Sequence, residues 1–164
     1  MSETLLPALS ALADALARDA RPQAAFEAAD AAVQALVGHE LFTVLLCRPG
    51  GEEVERVYSS RPDAYPVQGR KRLAATPWGD LVLARRQPFL GPDRAAVRWA
   101  FADHGLIESL GLGSAINVCV EHGGELLAVL AVLHREGRLK DEGQVARVRA
   151  LTPCLIPALR ALRG

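Results

Sequence analysis

The spacing of apolar residues changes period several times along the chain, and each change marks an element. Leu5, Leu9, Leu12 and Leu16 recur every three or four residues with alanines between them, which predicts an amphipathic helix carrying a leucine stripe. Pro22 suits a first helical turn, and Phe26, Ala29, Val33 and Leu36 hold the helical period until Gly38 supplies a stop, predicting a second helix. From Leu41 the pattern becomes a β-branched and aromatic run, "LFTVLLC", closed by "RPGGEE". "EVERVYSS" then alternates Val54, Arg56 and Tyr58 against Glu55, Val57 and Ser59, so a hairpin is expected with Arg56 and Tyr58 on one face.

A long helical and irregular excursion follows. Within it, Thr76 and Pro77 form an N-cap and first turn for a short helix through "WGDLVLARR", "QPFLGP" is a brief extended piece, and "DRAAVRWAFADHGLIESLG" predicts one or two helices opened by Asp93 and closed by Gly111. "SAINVCVEHGGELLAVLAVLHRE" is the clearest signal in the chain: two apolar runs joined by His122, Gly123, Gly124 and Glu125, an antiparallel hairpin. A closing helix is marked by Val145, Val148, Leu151, Leu155, Leu159 and Leu162, with Pro153 and Pro157 predicting a kink near Thr152. Two isolated hairpins do not support a fold, so the strands are expected in one antiparallel sheet. The fold class is therefore α+β, with helices on one sheet face, the excursion as a lid on the other, and a concave pocket between lid and sheet.

Composition narrows the partners. With 164 residues, half of them hydrophobic, the chain fits one domain. Its 19 Lys and Arg balance 19 Asp and Glu, so no whole-molecule field attracts nucleic acid or an anionic membrane. The first residues, "MSETLLPALSALADALARDA", lack the cationic start and apolar core of a signal peptide, and no apolar run is long enough to span a bilayer, so a cytoplasmic protein is expected. Cys47, Cys119 and Cys154 are odd in number, widely spaced and set in apolar runs, a pattern of buried thiols rather than of a disulfide framework or zinc site. The four histidines show no metal-ligand spacing. "GLGSAI" has Ile116 where a dinucleotide fingerprint needs its third glycine, and it follows a helix rather than a strand.

The candidate chemistry lies in "YSSRPDAYPVQGRKRLAATPW", which holds Tyr58, Tyr65 and Trp78, three of the chain's eight aromatic residues. Between Arg56 and Arg72 there are five cations (Arg56, Arg61, Arg70, Lys71 and Arg72) against one anion, Asp63. An inward guanidinium or ammonium would clamp a carboxylate or phosphate while the aromatic rings stack on a planar body. Tyr58, Ser60, Tyr65, Arg70, Lys71 and Trp78 are the candidate contacts, and alternation allows only part of the basic run to face a ligand. The blander alternative is a solvated loop that its aromatics anchor to the core. "DHGLIESLGLGSAIN" adds His104, Ser114 and Asn117. Asn117 shares a strand face with Cys119 and must find a partner, either a ligand or a structural bond to the excursion.

The helix ending "AAVQALVGHE" before "LFTVLLC", and the hairpin "GSAINVCVEHGGELLAVLAVLH" followed by "DEGQVARVRALTPCLIPAL", resemble the GAF domain family, and in particular small stand-alone bacterial GAF proteins. The resemblance covers about residues 22 to 164. It implies a GAF-like domain over 21–164 behind a helical extension at 1–20, a sheet of six or nearly six strands, and a ligand pocket under the excursion. It further implies dimerisation through the terminal helices, which fits leucine stripes broader than one sheet face is expected to bury. The function implied is that of a non-catalytic, small-molecule-binding sensory or regulatory domain signalling through a separate partner, its ligand small and anionic or planar. A protein interaction module with a self-filled pocket is the alternative, and a free methionine-sulfoxide reductase-like enzyme is disfavoured because the excursion contains no cysteine. Only Asp141 and Glu142 remain of the family's cyclic-nucleotide signature, and no cysteine between Cys47 and Cys119 is placed to attach a bilin. Neither a metal nor a covalent chromophore is expected.

Overall fold

The computed structural model describes residues 2–164, leaving only Met1 of the expected helical extension outside the described residues. Helices α1 (Ser2–Arg18) and α2 (Pro22–Leu36) precede the strands β1 (Leu41–Cys47) and β2 (Glu53–Ser59). The excursion contains β3 (Gln68–Arg72), α3 (Pro77–Gly79) running into a π-helical turn at Asp80–Ala84, β4 (Phe89–Gly91), α4 (Arg94–Ala100) and α5 (His104–Ser109). The chain closes with β5 (Ser114–His122), β6 (Glu125–His134), α6 (Glu142–Leu151) and α7 (Ile156–Arg163). A 3₁₀ turn at Thr152–Leu155 joins the last two helices, where Pro153 and Pro157 interrupt the α-helical ladder as expected.

All six strands form one sheet in the order β3-β2-β1-β6-β5-β4, with every neighbouring pair antiparallel. The excursion thus supplies both edge strands. β3, "QGRKR", is exposed at every position and carries no apolar period, so its sequence holds no strand signal beyond extension. Its charges do what edge strands commonly require, discouraging further pairing along an open edge.

Two cores lie on opposite faces of the sheet. On one, Phe42, Val44, Leu46, Ile116, Val118 and Leu130 pack against Phe26, Ala29 and Val33 of α2 and Val148, Leu151, Leu155 and Leu159 of the closing helices. On the other, Leu41, Val129 and Leu133 pack beneath Tyr65, Trp78, Val82, Val97 and Ile107 of the lid. The stripes on the terminal helices find their cover inside the chain: Leu12, Leu155 and Leu159 are at most 1% exposed, and Leu5, Leu9 and Leu16 pack partly buried on the same core. This corrects the premise that these stripes exceed what the sheet can bury. Among the described residues, the large apolar side chains that the terminal helices leave exposed are Leu6 and Leu162.

Strict alternation fails in β2. Val44 pairs with Tyr58 but Leu45 pairs with Arg56, so Val57 is an extra residue, a β-bulge. A one-residue slip exchanges faces. Arg56 therefore faces the lid, whereas Tyr58 turns to the helical side, where its hydroxyl donates to Asp30 Oδ2 at 2.6 Å. Asp30 Oδ1 also pairs with His39 Nε2 at 2.6 Å, so one carboxylate on α2 ties together β2 and the turn into β1.

Burial opposes ionisation of Asp30, but the hydrogen bonds from His39 and Tyr58 outweigh it and hold its pKa below the ordinary 3.8. A depressed carboxylate pKa stabilises the fold above its unfolded value, and that contribution is lost as the pH falls through the lowered folded value. Asp30→Ala leaves the buried Tyr58 hydroxyl without its acceptor and is expected to destabilise the protein at neutral pH by about 1–3 kcal/mol. Denaturant unfolding should show the deficit shrinking below about pH 4, and a deficit that stays constant down to acid would remove this role. Leu12→Glu and Leu159→Glu each place a carboxylate in the core, and should cost about 4 kcal/mol or more, seen as loss of the folded state rather than dissociation into stable monomers.

Candidate ligand site

A cavity of about 310 Å³ lies between the sheet and the lid. Its floor follows from cross-strand register. Thr43 and Asn117 both stand opposite Ala131, forming a row Thr43–Ala131–Asn117 across the middle of the sheet, with Leu45 and Val129 in the row on one side and Leu133 on the other. Small Ala131 at the centre leaves the space that a larger residue would fill.

The roof is built by the lid. Thr76 caps α3, its hydroxyl accepting from Gly79 N at 3.0 Å, and this places Trp78 over the floor. Trp78 Nε1 donates to Asn117 Oδ1 at 3.0 Å, both groups buried. The Trp78 and Phe101 rings are 6.4 Å apart, tilted by 41°. Gly91 in β4 permits the adjoining aromatic packing, since a Cβ there would come within 2.7 Å of the Phe89 ring.

Arg56 enters from β2. Its guanidinium lies 4.0 Å from the centre of the Tyr65 ring and donates through Nη1 to Pro66 O at 2.9 Å, although the residue is only 8% exposed. The Tyr65 hydroxyl donates to Asp103 Oδ2 at 2.6 Å, and burial followed by this bond pushes the phenol well above its usual range. Lys71 completes the wall from β3. Two cations, one carboxylate, three aromatic rings and the polar side chains of Thr43, Gln68, Thr76 and Asn117 therefore line an otherwise apolar space.

Of the residues expected from sequence, the cavity brings together Tyr65, Lys71, Trp78 and Asn117. Arg70 does not line it: Lys71 stands opposite Val54, a residue of the lid-side core, and the neighbouring Arg70 is exposed. Tyr58 is carried to the far face by the bulge. Ser60 is spent on the backbone, its hydroxyl accepting from Phe42 N at 2.9 Å. Ser114, also buried, donates to Arg135 O at 2.6 Å and accepts from Leu139 N at 3.2 Å, tying β5 to the connection after β6. His104 begins α5 outside the cavity, and its neighbour Asp103 is the lining residue. Arg56, Asp103, Thr43 and Phe101 were missed as site residues. Arg56 had a signal, a lone cation inside an otherwise alternating strand, but assigning its face required the bulge.

The thiols are placed far from reactivity. Burial pushes Cys47 up to about 12 and Cys119 to about 11, and the Cys119 sulfur lies 3.3 Å from Val82 O. Among the described residues no cluster of His, Cys, Asp and Glu is arranged to hold a metal ion, and no helix is long and apolar enough to cross a membrane.

No protein-family model matches the sequence, and no curated protein matches it. Solved structures do. The GAF domain of a phosphoenolpyruvate-protein phosphotransferase from Coxiella burnetii superimposes with a TM-score of 0.78 at 16% identity, over 98% of this chain and 95% of that one. The GAF domain of the Acinetobacter phosphoenolpyruvate-protein phosphotransferase gives a TM-score of 0.76 at 14% identity, over 98% and 95%. The GAF domain of a two-component sensor histidine kinase from Bacillus halodurans gives 0.67 at 13% identity, over 84% and 92%. Sheet order, the helical layer and the lid together give this chain the GAF-domain fold.

Proposed function

We propose that this protein is a small-molecule-binding sensory or regulatory domain that holds an anionic or planar ligand between sheet and lid without transforming it. The observation that carries this reading is the cavity itself: a buried arginine and an exposed lysine line a space roofed by Trp78 and Phe101, above a floor kept open by Ala131. Charge-assisted bonds to Arg56 and Lys71 would orient an anion, and the rings would cover a flat body. The fold supports the regulatory part, since one structure it resembles belongs to a sensor histidine kinase. On this reading residues 21–164 form the ligand-binding unit behind the helix of 1–20, and the protein works in the bacterial cytoplasm, passing its signal to a separate partner.

A cysteine-based reductase gains no support, because both thiols near the lid are held protonated at neutral pH. An interaction module with a self-filled pocket is favoured by one observation: Trp78 and Tyr65 already satisfy their polar atoms on Asn117 and Asp103. The two readings separate in one experiment. Mass spectrometry of small molecules released by denaturing the purified protein should find a stoichiometric compound in wild type and in Arg70→Gln, and little in Arg56→Gln or Lys71→Gln. Each of the latter removes a charged hydrogen bond worth about 1.5–3 kcal/mol, or roughly tenfold or more in affinity. Empty wild-type protein whose melting temperature no metabolite raises would turn the assignment to the self-filled module.

We also place a homodimer contact on the terminal helices, now reduced to exposed Leu6 and Leu162. Leu6→Glu with Leu162→Glu leaves the core intact and should convert dimer to monomer by light scattering. A wild-type protein that is already monomeric would dispose of this contact.

A further inference from the structure

We infer that a cleft at the hairpin end of the sheet is a second ligand site, for a small carboxylate carrying a short apolar tail. The cleft has a volume of about 710 Å³ and opens where the β1–β2 and β5–β6 turns meet the π-helical turn of the lid. Val54, Leu73, Leu83 and Leu126 give it an apolar floor. Three guanidiniums, those of Arg48, Arg86 and Arg163, line it, each paired with one carboxylate, Glu55, Glu121 and Glu125 respectively.

The arginines are placed at a cost that internal pairing does not offset fully. Arg163 comes from α7 in the helical layer yet lines the lid-side cleft, and its side chain is 7% exposed. Its Nη1 donates to Glu125 Oε2 at 3.2 Å, while its Nε is buried without a partner. Arg48 repeats the arrangement: Nη2 donates to Glu55 Oε1, and Nε is buried without a partner. Buried N–H groups left unsatisfied are rare in folded proteins and call for an acceptor. Both arginines that carry them line this cleft. Arg86 is held across it by Glu121 Oε2 at 3.0 Å and Gly124 O at 3.2 Å.

The ligand chemistry follows from these parts. The planar guanidinium fork offers paired N–H donors, the geometry that suits a carboxylate. A bare inorganic anion would leave the four apolar side chains uncovered, and an uncharged apolar molecule would leave the arginine N–H groups unsatisfied. The site is independent of the cavity beneath Trp78, from which the segment around Leu73–Gly79 divides it.

Hexanoate is a suitable probe, titrated into the isotopically labelled full chain and followed by amide chemical shifts. Saturable shifts are expected at Gly50, Gly51 and Gly124, which border the cleft. Arg163→Gln and Arg48→Gln should each weaken binding by about tenfold, while Arg70→Gln leaves it unchanged. If Arg163→Gln does not fold, Arg48→Gln and the wild-type shift map decide. The inference is overturned if hexanoate gives no saturable shifts up to about 10 mM, or if shifts arise only around Trp78 and Asn117. It is overturned equally if hexan-1-ol or inorganic phosphate binds the same amides as tightly, or if folded arginine variants keep the wild-type affinity.

Discussion

The buried hydrogen bond from Trp78 Nε1 to Asn117 Oδ1 is the contact on which the lid side of this molecule depends. A strand amide in the middle of a sheet that is covered on both faces must be satisfied, because an orphaned buried polar group costs about 1–3 kcal/mol. The indole supplies the donor from the opposite layer. Lid and floor are thereby locked in one relation, with the rigid ring setting their separation. Beside that contact the floor drops to Ala131, and the result is a cavity rather than a packed interface. The far side of the sheet answers a similar demand with a different residue, the Asp30 carboxylate that accepts from Tyr58.

Sequence periodicity revealed the elements whose physics is local or repetitive. Both central hairpins, the paired terminal helices, the Thr76 and Asp93 caps and the break near Thr152 are legible because each rests on residues close in the chain. Less legible was whatever depends on partners far away. β3 is a strand only because β2 offers it an edge, and nothing in "QGRKR" announces this. The leucine stripes suggested surplus apolar surface because the capacity of the sheet face to absorb both helices cannot be counted before their packing is known.

For the site, the decisive hidden variable was one extra residue. The bulge at Val57 sends Arg56 to the ligand side and Tyr58 to the helical side, reversing what simple alternation says of Tyr58. Residue type correctly drew attention to cations and aromatics in this stretch, but register chose among them. Asn117 was legible for a better reason: it sits within a strand whose alternation is unbroken from Ser114 to Val120, so its face and its need for a partner both followed. Ser114 and Ser60 illustrate the opposite case, small hydroxyls at strand ends that satisfy backbone groups instead of a ligand.

The balance of charge over the whole chain conceals how unevenly the charges are used. Many arginines sit in exposed pairs of small energetic value, such as Arg72 with Glu52 and Arg85 with Asp80. Arg56, Arg48 and Arg163 are different, since each is largely withdrawn from water and only partly satisfied by protein acceptors. Desolvation makes a partly satisfied guanidinium a strong attractor for any anion that reaches it, because the cost of removing the cation from water is already met in the folded state. Both cavities contain such a group, and they share Leu73, Ala74, Thr76 and Gly79 as a common wall. Thr76 caps the helix that holds Trp78 and also lines both cavities, so one short segment shapes a wall of each.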